Sequence, residues 1–319
     1  MSILDRVTVT GADDNTSIND LVQISKRYPW VEWGILASKS NMGGPKFPSI
    51  NWLMELKKTN EKHRMNISMH LCGKWLRDLC VEGDSSFALE LPAVGYKRLQ
   101  LNFKSLLTQI DQNKLLAALK HLHAFHLLPE IQFIFQYDDT VTSLLETAVD
   151  HGINAVPLFD PSGGCGILPE QRPSAKGYHG YAGGLSPGNI HEQLKKIKVI
   201  TGCSPIWIDA ETHLRRSDNS EFELNKVEMF LKAASEYVKY PILINDLIPN
   251  DPNEIKTGAS FIHIKTQNKY TIVGSAIDAT NERDGLAVVV YRNNQGALFV
   301  RDKQEFLTKF VLDTSNTVN

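Results

Sequence analysis

Long apolar runs are missing from the sequence. The apolar runs are short, strand-like segments such as residues 242–244, whereas a membrane-spanning helix needs about 20 apolar residues. The first residues also lack the basic and then apolar regions of a secretory signal. These two absences predict a cytoplasmic protein that has no membrane partner.

A strong charge of either sign is also absent. The 34 Lys and Arg residues nearly balance the 36 Asp and Glu residues, which leaves a formal net charge of −2. Because nucleic-acid-binding proteins usually carry a basic field, no nucleic-acid partner is predicted.

Cysteine is scarce, and the cysteines form no C-x-x-C pair, which predicts free thiols in a reducing compartment. They are Cys72, Cys80, Cys165 and Cys203. Three histidines, His121, His123 and His126, lie in a Leu-rich helical segment. The first two point to different faces of that helix, and nothing supplies the remaining ligands. We therefore expect neither a metal nor a cofactor.

The sequence does contain a regular alternation of short apolar strands and amphipathic helices. The predicted strands are residues 7–10, 31–37, 66–71, 98–103, 130–135, 154–159, 179–182 and 205–208. Strands that alternate with helices pair in parallel, and eight such repeats close into a barrel. We therefore predict an α/β fold, a (β/α)8 TIM barrel over residues 1–247. Residues 172–176, between the sixth and seventh strands, are predicted to be a loop.

A turn-rich hinge at residues 248–253 precedes a different pattern. Alternating strands follow at residues 260–265, 270–276, 286–292 and 297–300. Residues 248–319 are therefore predicted to form a small antiparallel β domain of the SH3-like type. It resembles a small β domain of unknown function found alone or fused in bacterial and phage proteins, which implies no chemistry.

In a TIM barrel the catalytic site lies at the carboxyl ends of the strands. Ionisable side chains follow most of the predicted strands, more densely than a structural rim requires. The glycine-rich turn after the seventh strand is the most specific segment, because Gly183 and Gly184 allow backbone N–H groups to approach an oxyanion. A phosphate site is predicted there; the alternative is a tight strand-to-helix turn that binds nothing.

This turn, from Ala182 to Ile190, resembles the phosphate loop of phosphoribosylanthranilate isomerases, which reads A-G-G-L-(S/N/T)-P-x-N-(V/I). The first, sixth and eighth strands agree with that family in order and spacing, and the resemblance covers residues 5–238. It implies a site for a small phosphorylated metabolite. We assign that site to Gly163, Gly164, Gly183, Gly184, Ser186, Asn189, Asp209 and the added donor Arg215.

The resemblance also implies a mechanism. These isomerases open a ribose ring with an aspartate as general acid and remove the C2 proton with a cysteine as general base. Asp160 matches the acid. Thr10 stands at the position of the base, and a hydroxyl needs an activating partner to serve there near neutral pH. The alternatives for the base are Cys72, Asp13, Asp14 and Glu211.

The sequence thus predicts an enzyme that acts on a phosphorylated sugar, a phosphoribosyl compound, by acid–base ring opening or isomerisation. The missing cysteine favours one alternative, a non-catalytic binder or sensor of a phosphorylated metabolite. The other alternative, a metal-dependent hydrolase, would use His70, Asp209, Glu211 and His213. The sequence leaves the substrate and the oligomeric state open.

Overall fold

The structure is a computed structural model that describes residues 3–124, 131–137, 142–174, 177–202, 204–238, 258–278, 280, 283 and 286–313. The chain divides into two compact units, residues 1–240 and 241–319. The predicted domain boundary after residue 247 and the hinge at residues 248–253 lie outside the described residues.

The first unit is a closed barrel of eight parallel strands, so the predicted fold class is confirmed. The strands pair in chain order, and the eighth pairs with the first. They are β1 (Leu4–Thr10), β2 (Val31–Ala37), β3 (Asn66–Leu71), β4 (Arg98–Leu101), β5 (Gln132–Tyr137), β6 (Ala155–Phe159), β7 (His179–Tyr181) and β8 (Ile206–Ala210). β2 and β3 have the predicted bounds, and the ends of the others differ from the prediction by a few residues.

Helices cover the barrel where the sequence has amphipathic segments. They are α1 (Ile18–Arg27), α2 (Ile50–His63), α3 (Gly73–Arg77), α4 (Phe87–Glu90), α5 (Gln112–Ala124), α6 (Thr142–Asp150), α7 (Ile190–Thr201) and α8 (Leu224–Ala234). Ser17 and Ser49 cap α1 and α2 by accepting hydrogen bonds from backbone N–H groups of the first turn. The described residues between β6 and β7 form no helix, which agrees with the predicted loop. No helix within the described ranges is long and apolar enough to cross a membrane.

The interior of the barrel has an apolar side and a polar side. Since side chains alternate along a strand, every second residue points inward. The apolar side comes from β5 to β8 and contains Ile134, Val156, Leu158, Ala182 and Trp207. The polar side comes mainly from β1 to β4 and contains Thr8, Glu32, Ser68, His70, Arg98 and Gln100, all buried.

The second unit is an antiparallel sheet with the strand order β12-β11-β10-β9-β13. Its elements are β9 (Ser260–His263), β10 (Lys269–Asp278), β11 (Leu286–Asn293), β12 (Leu298–Asp302), α9 (Lys303–Lys309) and β13 (Phe310–Leu312). Phe261, Val289 and Phe306 are among its buried core residues. The small antiparallel β fold is confirmed, while the sequence missed α9 and β13 because each is too short to show a periodic pattern.

Candidate functional site

A cavity lies at the carboxyl ends of the barrel strands, where the sequence predicts the site. Asp160, Asp209 and Glu211 line it together with Gly183 and Gly184. Its volume is about 40 Å³, the space of about three water molecules, which suits a phosphate-sized group. The predicted residues that follow β6, β7 and β8 therefore meet in one place.

Asp160 is nearly buried, and its carboxylate is held on both oxygens. Oδ1 accepts hydrogen bonds from the backbone N–H and the hydroxyl of Ser162, at 3.2 and 2.8 Å. Oδ2 accepts from Nε2 of Gln136 at 2.9 Å and from the backbone N–H of Gly164 at 2.7 Å. All four groups donate, so the carboxylate is fixed in one orientation at the cavity wall.

Asp209 lies inside the barrel at the end of β8, with 8% of its surface exposed. Burial raises the pKa of Asp209 to about 8. The hydroxyl of Thr10, which donates a hydrogen bond to Oδ1 at 2.8 Å, opposes this rise, and the negative charges of Glu211 and Asp160 add to it. Asp209 therefore carries a proton at neutral pH.

A glycine in β2 makes room for this pair. A Cβ at Gly34 would overlap the hydroxyl oxygen of Thr10 and lie 2.9 Å from Cε1 of His70. Burial lowers the pKa of His70 to about 3, so the imidazole beside the pair is neutral. Sequence reasoning placed Thr10 at the base position and Asp209 at the phosphate; it did not foresee that they bond to each other.

Cys72 does not have the properties of a general base. Its sulfur accepts a hydrogen bond from Nδ2 of Asn102 at 3.2 Å, and burial raises the pKa of the thiol to about 12. The thiolate is therefore scarcely populated at neutral pH. Cys72, Cys80 and Cys165 are free thiols, whereas Cys203 lies outside the described residues.

Glu211 is tied to the loop that follows β2. Its carboxylate forms an ion pair of 2.6 Å with the ammonium of Lys46. The backbone N–H of Lys46 donates to Asp13, and Asp14 accepts from the backbone N–H of Ser49. The two aspartates proposed as alternative bases therefore organise the loops at the rim of the barrel.

Arg215 does not line the cavity. Its side chain is 0% exposed and forms an ion pair of 2.8 Å with Asp13. The same guanidinium donates to the carbonyl of Gly11 and to the side chain and carbonyl of Asn219. Because these bonds use its donors to join the loops after β1 and β8, Arg215 is not placed to bind a phosphate in the cavity, and that predicted role is wrong.

The two glycines of the loop after β6 hold Asp160. The backbone N–H of Gly163 donates to the carbonyl of Asp160 at 3.1 Å, and that of Gly164 donates to its carboxylate. Both amides are occupied in this way, so their contribution is to position Asp160.

Three consecutive backbone amides after β7 remain unbonded. Within the part of the chain that the structure describes, the N–H groups of Gly183, Gly184 and Leu185 have no hydrogen-bond partner, and all three residues line the cavity. Concave sets of backbone N–H groups, especially beside a helix N-terminus such as that of α7, bind anions. The turn can therefore accept a phosphate.

The orientation of these amides has an identifiable cause. Arg172 donates to the carbonyls of Ala182 and Gly183 at 2.6 and 3.0 Å, and Nδ2 of Asn189 donates to the carbonyl of Gly184 at 2.8 Å. In a trans peptide the N–H points away from the C=O. Each of these three bonds holds a carbonyl oxygen towards its donor. The N–H of the following residue, which is Gly183, Gly184 or Leu185, therefore points away from that donor.

Arg172 is a residue that sequence reasoning missed. It lies in the loop predicted at residues 172–176, and a loop arginine carries no local signal of the carbonyls it will meet. Burial lowers the pKa of Arg172 to about 10, and its guanidinium lies 5.9 Å from the centre of the Tyr181 ring.

The glycines after β7 also have a packing reason. A Cβ at Gly184, where φ is 64°, would overlap the backbone nitrogen of Leu168 and lie 2.5 Å from its Cα. Asn189 fixes the same turn by accepting from the backbone N–H of Ser186 at 2.9 Å. Glycine at this point is therefore required by the loop after β6, and the case for an anion site rests on the unbonded amides.

The residues of the hydrolase alternative are not arranged as metal ligands, although Asp209, Glu211 and His213 line the same cavity. Among the described residues, no three His, Cys, Asp or Glu side chains are placed to hold one metal ion. His70 is buried in the barrel, and Nε2 of His213 contacts the carbonyl oxygen of Gly166 at 3.0 Å. We do not pursue this alternative.

Comparison with known proteins gives no family for the chain. No protein-family model matches the chain, and no curated protein matches its sequence. Similar solved structures include a xylose isomerase domain-containing protein of Salmonella typhimurium LT2, with 14% identity, coverage of 74% of this chain and 99% of that chain, and a TM-score of 0.44. A GH113 β-1,4-mannanase has 8% identity, coverage of 74% and 99%, and a TM-score of 0.44. The YdjI aldolase of Escherichia coli K12 has 11% identity, coverage of 72% and 87%, and a TM-score of 0.40.

The closed strand order defines the class of the protein: a (β/α)8 barrel followed by a small antiparallel β unit. The similar structures indicate nothing about function, because their identities and TM-scores are low. The function has to be argued from the cavity itself.

Proposed function

We propose that this protein is an enzyme that acts on a phosphorylated sugar, a phosphoribosyl compound, by acid–base ring opening and isomerisation. The observation that carries the proposal is the meeting of two buried carboxyl groups and three unbonded amides in one cavity. The carboxyl groups belong to Asp160 and Asp209, and the amides to Gly183, Gly184 and Leu185. The resemblance of the glycine turn to phosphoribosylanthranilate isomerases supports the substrate class.

The amides would hold the phosphate. A phosphate-sized group fills a cavity of about 40 Å³, so the sugar extends towards the open mouth, past Asp160 and Asp209. The binding energy of the phosphate would then position the reacting carbons beside the carboxyl groups.

The two carboxyl groups would divide the proton transfers. Asp209, which is protonated at neutral pH, gives its proton to the ring oxygen as the bond between C1 and that oxygen breaks. The exocyclic oxygen or nitrogen on C1 supplies the electron pair for a double bond to C1 and releases its own proton to solvent. Asp160, whose carboxylate only accepts hydrogen bonds, takes the proton from C2 when the Ser162 hydroxyl turns away from Oδ1. The resulting enediol or enaminol then receives that proton at C1, which completes the isomerisation. The resemblance implies the acid role for Asp160; the environments of the two groups lead us to exchange their roles.

Deuterium exchange tests this proposal without knowledge of the product. The protein is incubated in D₂O with ribose 5-phosphate and other aldose 5-phosphates, and loss of the C2 proton is followed by NMR. We expect exchange with the unchanged protein and a loss of about 100-fold or more in Asp160→Asn and in Asp209→Asn, the usual contribution of a general acid or base. Asp218→Asn, an exposed carboxylate outside the cavity, is the matched control.

Phosphate binding is measured on the same proteins by calorimetry. Both cavity variants are expected to keep it, whereas Arg172→Gln is expected to weaken it about tenfold, because the amides lose the donor that turns them. Binding without exchange would indicate the non-catalytic sensor. Absence of phosphate binding in the unchanged protein would contradict the proposed function.

A further inference from the structure

A second cavity lies at the opposite end of the barrel, among the amino ends of β1 to β4. Arg6 and Glu32 form its floor, and the end of α2 and the segment before β4 form its sides, with Arg64 and Lys97 among the lining residues. Its volume is about 400 Å³, ten times that of the mouth cavity and within the range of small-molecule sites. We propose that this cavity binds a small organic anion that bears a phosphate or a carboxylate.

The floor of the cavity is ionic. Arg6 and Arg98 both pair with Glu32, at 3.0 and 2.9 Å, although the Glu32 side chain is only 1% exposed. Burial alone would raise the pKa of Glu32, but the two guanidinium groups outweigh it and the pKa is lowered. The carboxylate is therefore fully compensated and does not repel an anion placed above it.

The floor of the cavity has a hydrogen-bond donor without a partner among the described residues. Arg98 does not line the cavity, because its guanidinium lies inside the barrel, 4.2 Å from the centre of the Trp207 ring. Arg6 does line it, and the Arg6 side chain is 31% exposed. Arg6 also pairs with Asp5 at 3.1 Å, through Nε. The ion pairs with Asp5 and Glu32 use Nε and Nη1 of Arg6, so among the described residues its Nη2 remains as a donor for a ligand in the cavity.

Two further cationic side chains lie at the rim of the cavity. Arg64 and Lys97 are exposed, and neither forms an ion pair with any residue that the structure describes. Three cationic side chains, those of Arg6, Arg64 and Lys97, and two carboxylates, those of Glu32 and Glu61, line the cavity. The balance favours an anion.

Arg64 occupies a strained position. Its φ is 52° and its ψ is 43°, the left-handed conformation in which helices usually end with glycine or asparagine. An arginine there costs roughly 1 kcal/mol. Backbone strain of this kind is often found at functional sites, and here it places the guanidinium of Arg64 at the rim of the cavity. Met65 and Ile67 supply an apolar wall for the body of the ligand.

NMR titration of the full-length ¹⁵N-labelled protein tests the proposal with three probes: inorganic phosphate, ribose 5-phosphate and citrate. We expect saturable shifts of the amides of Arg64, Gly95 and Lys97 with at least one probe. The double variant Arg64→Asn/Lys97→Gln should weaken this binding at least about tenfold, since it removes two charge-assisted contacts. Asparagine tolerates the left-handed conformation, so a folding defect is not expected.

Two controls separate this cavity from other sites. Lys62→Gln removes an exposed cation from the same end of α2 that does not line the cavity, and Arg172→Gln alters the mouth site only; both should leave the shifts unchanged. Phosphate and citrate distinguish the two kinds of anion. Shifts confined to the mouth amides, or equal affinity in the double variant, would overturn the proposal.

Discussion

Replacing Asp209 with asparagine should change how the stability of the barrel depends on pH. The folded protein keeps a proton on Asp209 up to a pH of about 8, whereas the unfolded chain releases it near its ordinary value of 3.8. Between these values the folded state binds one proton more than the unfolded state. The free energy of unfolding of the unchanged protein therefore falls as the pH rises through this window. Asparagine, which is neutral throughout, removes the effect while still accepting the bond from Thr10.

The magnitude follows from the shift. Each pH unit inside the window changes the free energy of unfolding by about 1.4 kcal/mol. Between pH 5 and pH 8, Asp209→Asn should therefore gain about 4 kcal/mol relative to the unchanged protein, and the gain should level off above the pKa of Asp209. The lowered pKa values of His70 and His179 are common to both proteins, so their contributions cancel in the difference.

Urea unfolding followed by tryptophan fluorescence measures this difference. All five tryptophans belong to residues 1–240, so the signal reports the barrel unit alone. Asp218→Asn is the control: hydrogen bonds from Ser220 lower the pKa of that exposed carboxylate, and its contribution changes only below the window. If Asp209→Asn and the unchanged protein keep a constant difference from pH 5 to pH 8, Asp209 is ionised in the fold and its role as general acid is wrong.

Two further substitutions test the packing around the mouth by the same unfolding assay. Gly184→Ala should lose about 1–3 kcal/mol more than Gly152→Ala, because both glycines have a positive φ, 64° and 75°, but only the first would meet the backbone of Leu168; equal losses would show that the loop yields without cost. Arg215→Met should cost about 3–5 kcal/mol, since it leaves Asp13 buried without its partner, and the double variant Asp13→Asn/Arg215→Met should cost less than the sum of the two single changes. An additive double variant would contradict the buried ion pair.

The barrel could be predicted from the sequence because the sequence pattern that indicates it is local. Apolar strands that alternate with amphipathic helices determine the order of the elements, and β2 and β3 have the predicted bounds. The meeting of Asp160, Asp209 and Glu211 follows from the same pattern. The carboxyl ends of parallel strands share one edge, so residues far apart in the chain reach one cavity.

What these residues do there was decided by contacts that no local pattern records. Thr10 and Asp209 are 199 residues apart, and their bond and their burial set the proton on Asp209. Arg215 was expected at the phosphate but meets Asp13 across 202 residues, whereas Arg172, a loop residue without any signal, turns the amides of the glycine turn.

The sequence by itself therefore determined the architecture and the end of the barrel at which the ionisable groups collect. Only the tertiary structure decided which of these groups hold a proton, which form hydrogen bonds or ion pairs with one another, and which remain available to a ligand. The physical reason is that protonation and donor capacity depend on burial and on partners, and both are properties of the packed fold.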